Sequence, residues 1–491
     1  MARRTSPKPF RNKVKHLLIF EYLEQNAKLY PDEVALVEIS PKFDEKSRIT
    51  WKDYSLVQPV PGKEFRREMT WKTFDERANM FANLLFTRGI RKGEKVAILL
   101  MNSIEWLPMY FGILKTGAIA VPLNYRYDAN EIKYCLEKAD CSMLVFGPEF
   151  VGRVEEIVDD IPDVEHLFYV GEDCPSFADS AEELIKYCSK EKPNVEITLD
   201  DNAAIYYSSG TTGFPKGVML THYNVVNNGK YIGDHMDLST ADRMMIQVPM
   251  FHCFGMVLSM TSTMTHGGTL LPMPYFSPKS SLACINDEHI TCFNGVPTMF
   301  IALFNHADFA KTDFSYMRTG IMAGANCPAD LMRRASVEMN MREIISVYGQ
   351  TEASPGCTMG EVNEDLDHRV ETVGSAFPNV ECKIIDPETG EELPDGESGE
   401  FVARGFNIMK GYYKMPEATA QTIDADGWLH SGDICCRTPD GYFKVTGRLK
   451  DMIIRGGENL YPREIEEFYL TNPKVRDVQV IGVPDERYGE E

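Results

Sequence analysis

The sequence predicts an α/β fold: a large N-terminal region of parallel-rich βα subdomains, a small antiparallel β subdomain, and a truncated α+β C-terminal domain. Three observations predict it. From about residue 94 to 350, strand-like and helix-like stretches alternate, the βα pattern that builds parallel sheets covered by helices. After residue 372 the texture changes to period-two stretches separated by Pro-Glu-Thr-Gly, Pro-Asp-Gly-Glu and Pro-Asp-Gly turns, which spells antiparallel hairpins. The 491 residues, 43% apolar and 25% charged, are enough for about three domains at roughly 150 residues each and have an ordinary globular composition.

Taken in order, residues 95–101 are strand-like, 104–115 helix-like and stopped by Gly117, 118–123 strand-like, 130–138 helix-like and 143–146 strand-like. Asp128 followed three residues later by Glu131 is a capping box at a helix start, and Gly117 stands just past a helix end. Period-two stretches at 380–385, 400–403, 434–437 and 442–446 supply the hairpins. Beyond Gly447 come a strand-like 452–454, a Gly-Gly pair, a helix opening at Pro462 and a strand-like 478–483. These signals divide the chain into an N-terminal domain over 1–447, β-rich at about 372–447, and an incomplete C-terminal domain over 448–491, too short to hold a core unaided.

Charge and cysteine usage narrow the function. Fifty-one basic against 73 acidic residues give a net charge of −22, which repels polyanions and argues against nucleic acid or an anionic membrane as the main partner. The 12 cysteines contain no Cys-x-x-Cys pair, so reduced thiols are expected and a zinc site is not. The basic start has an apolar stretch of only 17–20, too short for a secretory core. No window approaches the ~20 apolar residues of a membrane span. The expected compartment is the cytoplasm, with a short organelle presequence as the minority alternative.

The chemistry concentrates at residues 203–218. A β-like apolar run empties into Ser208-Ser209-Gly210-Thr211-Thr212-Gly213-Phe214-Pro215-Lys216-Gly217, where backbone amides, hydroxyls and one ammonium can close on an oxyanion. A Ser/Thr/Gly run alone is ordinarily a solvated loop, but a linker needs no stiffening proline beside a single cation. The P-loop reading fails, because the Gly-Lys pairs of this chain are followed by Glu64 and Tyr231 rather than Ser or Thr.

This loop resembles the phosphate loop of the adenylate-forming superfamily, which holds acyl-CoA synthetases, nonribosomal-peptide adenylation domains and luciferases. Four further segments follow in that superfamily's order: Tyr348-Gly349-Gln350-Thr351-Glu352, Gly427-Trp428-Leu429-His430-Ser431-Gly432-Asp433, Gly447-Arg448-Leu449-Lys450-Asp451, and Gly456-Gly457-Glu458-Asn459-Leu460-Tyr461-Pro462. The likeness covers nearly the whole chain. It implies an ATP-dependent ligase in which a carboxylate attacks the α-phosphorus and coenzyme A then takes the acyl group.

The resemblance also implies roles. Ser208 to Gly213 and Lys216 cradle phosphates, Tyr348 and Gly349 meet the purine, Thr351 the α-phosphate, and Glu352 a Mg²⁺ ion, which prefers hard oxygen ligands. Asp433 resembles the carboxylate that binds both ribose hydroxyls, Arg448 the guanidinium beside it, and Gly324-Ala325 the segment against which adenine lies. His252 resembles a gate beside the acyl substrate. Lys216, Thr351, Glu352 and His252 form the expected catalytic set. Phe254, Gly255, Met256, Val296 and Met299 would complete an apolar acyl pocket with His252. Lys450 stands at the expected hinge, and Gly456, Gly457 and Glu458 line the expected channel for coenzyme A. The superfamily's adenylating lysine falls beyond Glu491, so impaired adenylation is expected of the chain as given.

The wording around 318–324 and 450–459 looks most like medium-chain acyl-CoA synthetases, so the expected substrate is a medium-chain or longer fatty acid, or a similarly apolar acid. A homodimer is compatible with this reading. Two alternatives stand beside it: adenylation with another acceptor, either a carrier-protein thiol or oxygen, and a non-catalytic nucleotide or acyl-adenylate binder.

Overall fold

The computed structural model describes residues 17–39, 59–60, 63–208, 215–325, 327–455, 458–460, 462–470, 472, 474–475, 478–485 and 489–491. Two eight-stranded sheets make up the large region. In one, Lys95–Leu99 lies parallel between Ile119–Pro122 and Cys141–Phe146, and Ile119–Pro122 pairs with Asn202–Ser208. The inner strands are unbroken apolar runs such as Val96, Ala97, Ile98 and Leu99, all fully buried, as a sheet covered on both faces requires. The helix between the first two strands, Trp106–Lys115, is buried along its whole length. The next helix, Ala129–Ala139, opens on the expected capping box, with Glu131 N–H donating to Asp128 and Asp128 N–H donating to Glu131.

At one edge of this sheet the chain reverses. Asn202–Ser208 pairs antiparallel with Lys216–Thr221, with Lys216 opposite Ser208, and Gly411–Tyr412 adds the outermost strand with Tyr412 opposite Val218. The loop between Ser208 and Pro215 therefore starts and ends at one sheet position. The second large sheet is parallel through Arg243–Ile246, Thr269–Pro272, Cys292–Phe293, Thr319–Ile321 and Glu343–Ile345. Val34–Ile39 extends it and pairs antiparallel with Lys63–Thr70.

The hairpin region folds as the turns predict. Val380–Ile385, Ser398–Gly405, Leu429–Arg437 and Phe443–Arg448 form a four-stranded antiparallel sheet in chain order. A three-stranded sheet of Val347–Gly349, Gly356–Met359 and Ser375–Ala376 lies between it and the second large sheet in sequence. Past Arg448, Ile453–Arg455 pairs with Glu458–Leu460, and a helix runs over Pro462–Leu470.

One expected strand is corrected. Residues 478–483 form no strand; Val483 exchanges backbone bonds with Glu491, and the Val480 N–H donates to the Glu466 carboxylate at 2.8 Å. A period-two pattern specifies which face is apolar, but a strand also needs a neighbouring backbone to receive its donors and acceptors.

Candidate active site

The turn after Val347–Gly349 is built by backbone crowding. A Cβ at Gly349 would lie 1.8 Å from the Pro355 carbonyl oxygen, so only glycine lets the two backbones meet. Asn228 then clamps Gly356 from both sides, accepting from its N–H at 3.0 Å and donating to its C=O at 2.8 Å. Ser354 donates to the Asn407 carbonyl at 2.6 Å. The single turn Thr351–Ala353 is fixed between these anchors, with Thr351 and Glu352 largely buried.

Glu352 collects two hydroxyls on one oxygen. Its Oε1 accepts from Ser208 at 3.1 Å and from Tyr412 at 2.8 Å. The Lys216 ammonium sits 4.9 Å from the centroid of the Tyr412 ring, within cation–π range. Ser208, Lys216 and Glu352, far apart in sequence, are thus gathered around Tyr412, a residue the sequence did not single out. Its only local signal is a Tyr-Tyr doublet, and its place becomes visible only through the long-range pairing with Val218. Among the described residues no cluster of three His, Cys, Asp or Glu side chains could enclose a metal. The donor set at Glu352 still fits Mg²⁺: Oε2 stays outside both hydroxyl bonds, and a hard cation held by one carboxylate takes its other ligands from water and phosphate.

Thr351 is backed by Cys253, whose thiol hydrogen-bonds with it. Burial pushes that thiol far above its ordinary pKa, so Cys253 packs and positions rather than attacks.

The second grouping forms on the hairpin sheet. Pairing of Leu429–Arg437 with Phe443–Arg448 sets Asp433 opposite Arg448, and the guanidinium Nε lies 3.3 Å from Asp433 Oδ1. Tyr348 donates its hydroxyl to Asp433 Oδ2 at 2.8 Å, and its ring stands edge-on to Phe401 at 4.9 Å between centroids. Burial raises the Asp433 carboxyl above the usual range, opposed by Tyr348 and Arg448 and reinforced by the charges of Asp451 and Glu400. Tyr348 therefore offers Asp433 a hydroxyl in addition to its aromatic face, and ribose hydroxyls would share that carboxylate with Tyr348 and Arg448.

His252 is exposed, and desolvation by the surrounding protein lowers its pKa. Its Nδ1 accepts the Phe254 N–H at 3.1 Å, which leaves the proton of the neutral ring on Nε2. Asn102 fixes the approach to His252, donating to the Ile246 and Val248 carbonyls and accepting from Met250 N–H. After it comes a π-helix over Phe254–Thr261, a form concentrated at functional sites. Gly255 opens the way for it, since a Cβ there would lie 2.3 Å from the Pro249 carbonyl oxygen.

A Cβ at Gly324 would sit 3.2 Å from Val296 and 3.7 Å from Phe254. Gly324, exposed like Ala325, therefore stands against Val296 and Phe254. Met299 and Val296 are half-buried. Met256 is corrected: it is fully enclosed in the core and has no face open to a ligand, so it backs the wall without lining it.

Ser209, Gly210, Thr211, Thr212, Gly213, Gly456 and Gly457 lie outside the described residues, and Glu458 is described only as backbone of the strand Glu458–Leu460. Lys450 is exposed in the turn Leu449–Asp451, directly after the strand that carries Arg448.

The family model described as AMP-binding enzyme matches residues 23–413. The chain is 41% identical to a putative acyl-CoA synthetase, YngI, of Bacillus subtilis over 97% of its own length and 87% of the relative's. It is 34% identical to the mouse mitochondrial medium-chain acyl-CoA ligase ACSF2 over 85% and 72% of the two chains. Among solved structures it is similar to the anthranilate CoA ligase AuaEII in complex with anthranoyl-AMP, with TM-score 0.85, 26% identity, and coverage of 97% and 86%. It is likewise similar to ATP-bound MatB from Rhodopseudomonas palustris, with TM-score 0.82, 28% identity, and coverage of 96% and 87%.

Proposed function

The chain belongs to the AMP-binding enzyme family, and from that premise we propose that it is an ATP-dependent carboxylate–CoA ligase acting on a medium-chain or longer fatty acid, or a comparably apolar acid. The observation that carries this reading is one short segment anchoring two groups: Tyr348 bonds Asp433 while Glu352, four residues on, bonds Ser208 and Tyr412. A nucleoside contact and a phosphate-side carboxylate are thereby fixed at a constant spacing.

A carboxylate is a poor electrophile because its leaving group would be oxide. Attack of a carboxylate oxygen on the α-phosphorus of ATP expels pyrophosphate and leaves a mixed anhydride whose leaving group is AMP. This step needs alignment and charge neutralisation more than covalent help. Lys216 supplies a cation beside the phosphate loop, Thr351 a hydroxyl donor at the α-phosphate, and Asp433 with Arg448 hold the ribose. Mg²⁺, when bound at Glu352, supplies further neutralisation of phosphate charge. The sulfur of coenzyme A then attacks the acyl carbon, AMP departs, and the thiol proton passes to solvent. Lys450 is the proposed hinge between the two steps, and Gly456, Gly457 and Glu458 the proposed channel for the thiol.

The apolar wall of Phe254, Val296 and Met299 supports an aliphatic substrate, as do relatives named medium-chain acyl-CoA ligases. The cytoplasm is the proposed compartment, supported by free buried thiols such as Cys135, Cys141, Cys253 and Cys292, the state of a reducing environment. Among the described residues no helix is long and apolar enough to cross a membrane.

The test is acyl-CoA formation from saturated acids of increasing length with ATP, Mg²⁺ and coenzyme A. Affinity rises by up to ~0.8 kcal/mol for each methylene buried until the proposed acyl pocket is full. A preference for acetate, or for an amino acid with its ammonium required, contradicts the reading.

A further inference from the structure

Asp433 does not lie on a regular strand. Glu400 pairs with Ile434 and Val402 with His430, so the single residue Phe401 on one strand faces Ser431, Gly432 and Asp433 on the other. This is a bulge, and bulges re-aim side chains beside functional sites. Gly432 takes φ +70° at its centre, a left-handed conformation that favours glycine. A bulge interrupts the ladder, so its backbone groups need other partners. Ser431 meets part of that need, donating its hydroxyl to the Phe401 carbonyl at 2.6 Å and accepting from the Asp433 N–H at 3.1 Å.

Glu400 meets the rest. Its carboxylate is nine-tenths buried and uses both oxygens: Oε1 accepts the Gly432 N–H at 3.0 Å, and Oε2 pairs with His430 Nδ1 at 2.9 Å. His430 reaches Asp424 on its other side, with Nε2 3.8 Å from the carboxylate. One buried acid thus ties the residue before the bulge to the residue at its centre. We propose that Glu400 is a positioning residue for nucleotide binding, holding the bulge in the conformation that presents Asp433 to the ribose. The inference rests on the reading of Asp433 as the ribose contact. Glu400 is also a like charge near Asp433, so an electrostatic role and a positioning role predict opposite signs. Removing a mere repulsion strengthens nucleotide binding, whereas releasing the bulge weakens it.

The experiment measures AMP binding by calorimetry for the wild-type chain, Asp433→Ala, Glu400→Ala and Glu400→Gln, with thermal unfolding of each and the KM values for ATP and for the acid. Asp433→Ala weakens AMP. Glu400→Ala weakens it roughly tenfold or more, the scale of losing hydrogen bonds to a charged acceptor, and raises KM for ATP while KM for the acid is unchanged. Glu400→Gln can serve one of the two donors but not both and falls between, which keeps the test decisive if the alanine variant fails to fold. Wild-type or tighter AMP binding in Glu400→Gln, or in a folded Glu400→Ala, overturns the inference while Asp433→Ala keeps the ribose reading standing. Unchanged binding in Asp433→Ala overturns both.

Discussion

With Asp433 as the proposed ribose contact, nucleoside binding is predicted to be sensitive to acid. Burial keeps the folded-state pKa of Asp433 above the usual carboxylate range, and protonation removes the negative charge and turns one of its two acceptor oxygens into a donor, which weakens its hold on a pair of ribose hydroxyls. Affinity for adenosine, which carries no phosphate to titrate, is therefore complete above the raised pKa. It falls as pH drops through that value, before an ordinary aspartate at about 3.9 would protonate. An Asp433→Asn variant loses this dependence, and a wild-type affinity flat down to the ordinary aspartate range contradicts the account. Stability has the opposite sign: the folded state holds this proton more tightly than the unfolded chain, so the cost of burying Asp433 is present at neutral pH and relieved as pH falls. Tyr412 makes a second prediction. Tyr412→Phe keeps the ring beneath Lys216 and removes one bond to the Glu352 carboxylate, a loss of about 1.5 kcal/mol for a hydrogen bond to a charged group. The adenylation rate falls roughly tenfold with KM for the acid unchanged; an unaltered rate removes Tyr412 from the site.

At the scale of elements, the site depends on tight backbone passages. Gly349→Ala places a methyl 1.8 Å from the Pro355 carbonyl oxygen, so the strand carrying Tyr348 and the turn carrying Glu352 have to separate. The expected result is about 1–3 kcal/mol of destabilisation, typical of overpacking, together with weaker AMP binding; a variant with wild-type melting and affinity refutes it. Alternating elements and hairpins were legible in the sequence because periodicity and turn residues are local properties, and Asp128 with Glu131 capped the helix they marked. Residues 478–483 failed because a strand is made by its neighbour. The motif residues Tyr348, Glu352, Asp433 and Arg448 were legible through ordered resemblance, and the structure supplied their mutual contacts. Tyr412 and Glu400 were illegible: the first acts through a pairing across almost two hundred residues, and the second through a bulge that no local spacing encodes. Met256 matched an apolar pattern that serves core and pocket alike, and only burial separates the two.

Across the whole molecule, the parallel sheets, the reversed edge at Lys216–Thr221 and the hairpin sheet each deliver one part of the site, and the segment from Tyr348 to Glu352 joins them. The central claim is that this arrangement activates a carboxylate as an acyl-adenylate before thiol transfer. The most direct measurement supplies an aliphatic acid labelled with heavy oxygen in its carboxylate, together with ATP, Mg²⁺ and coenzyme A, and locates the label by mass spectrometry. The account predicts acyl-CoA and AMP in equal amounts, with one labelled oxygen in the AMP phosphate, because the attacking carboxylate oxygen leaves with the nucleotide. Label in inorganic phosphate accompanied by ADP, or acyl-CoA formed with unlabelled AMP, would contradict it.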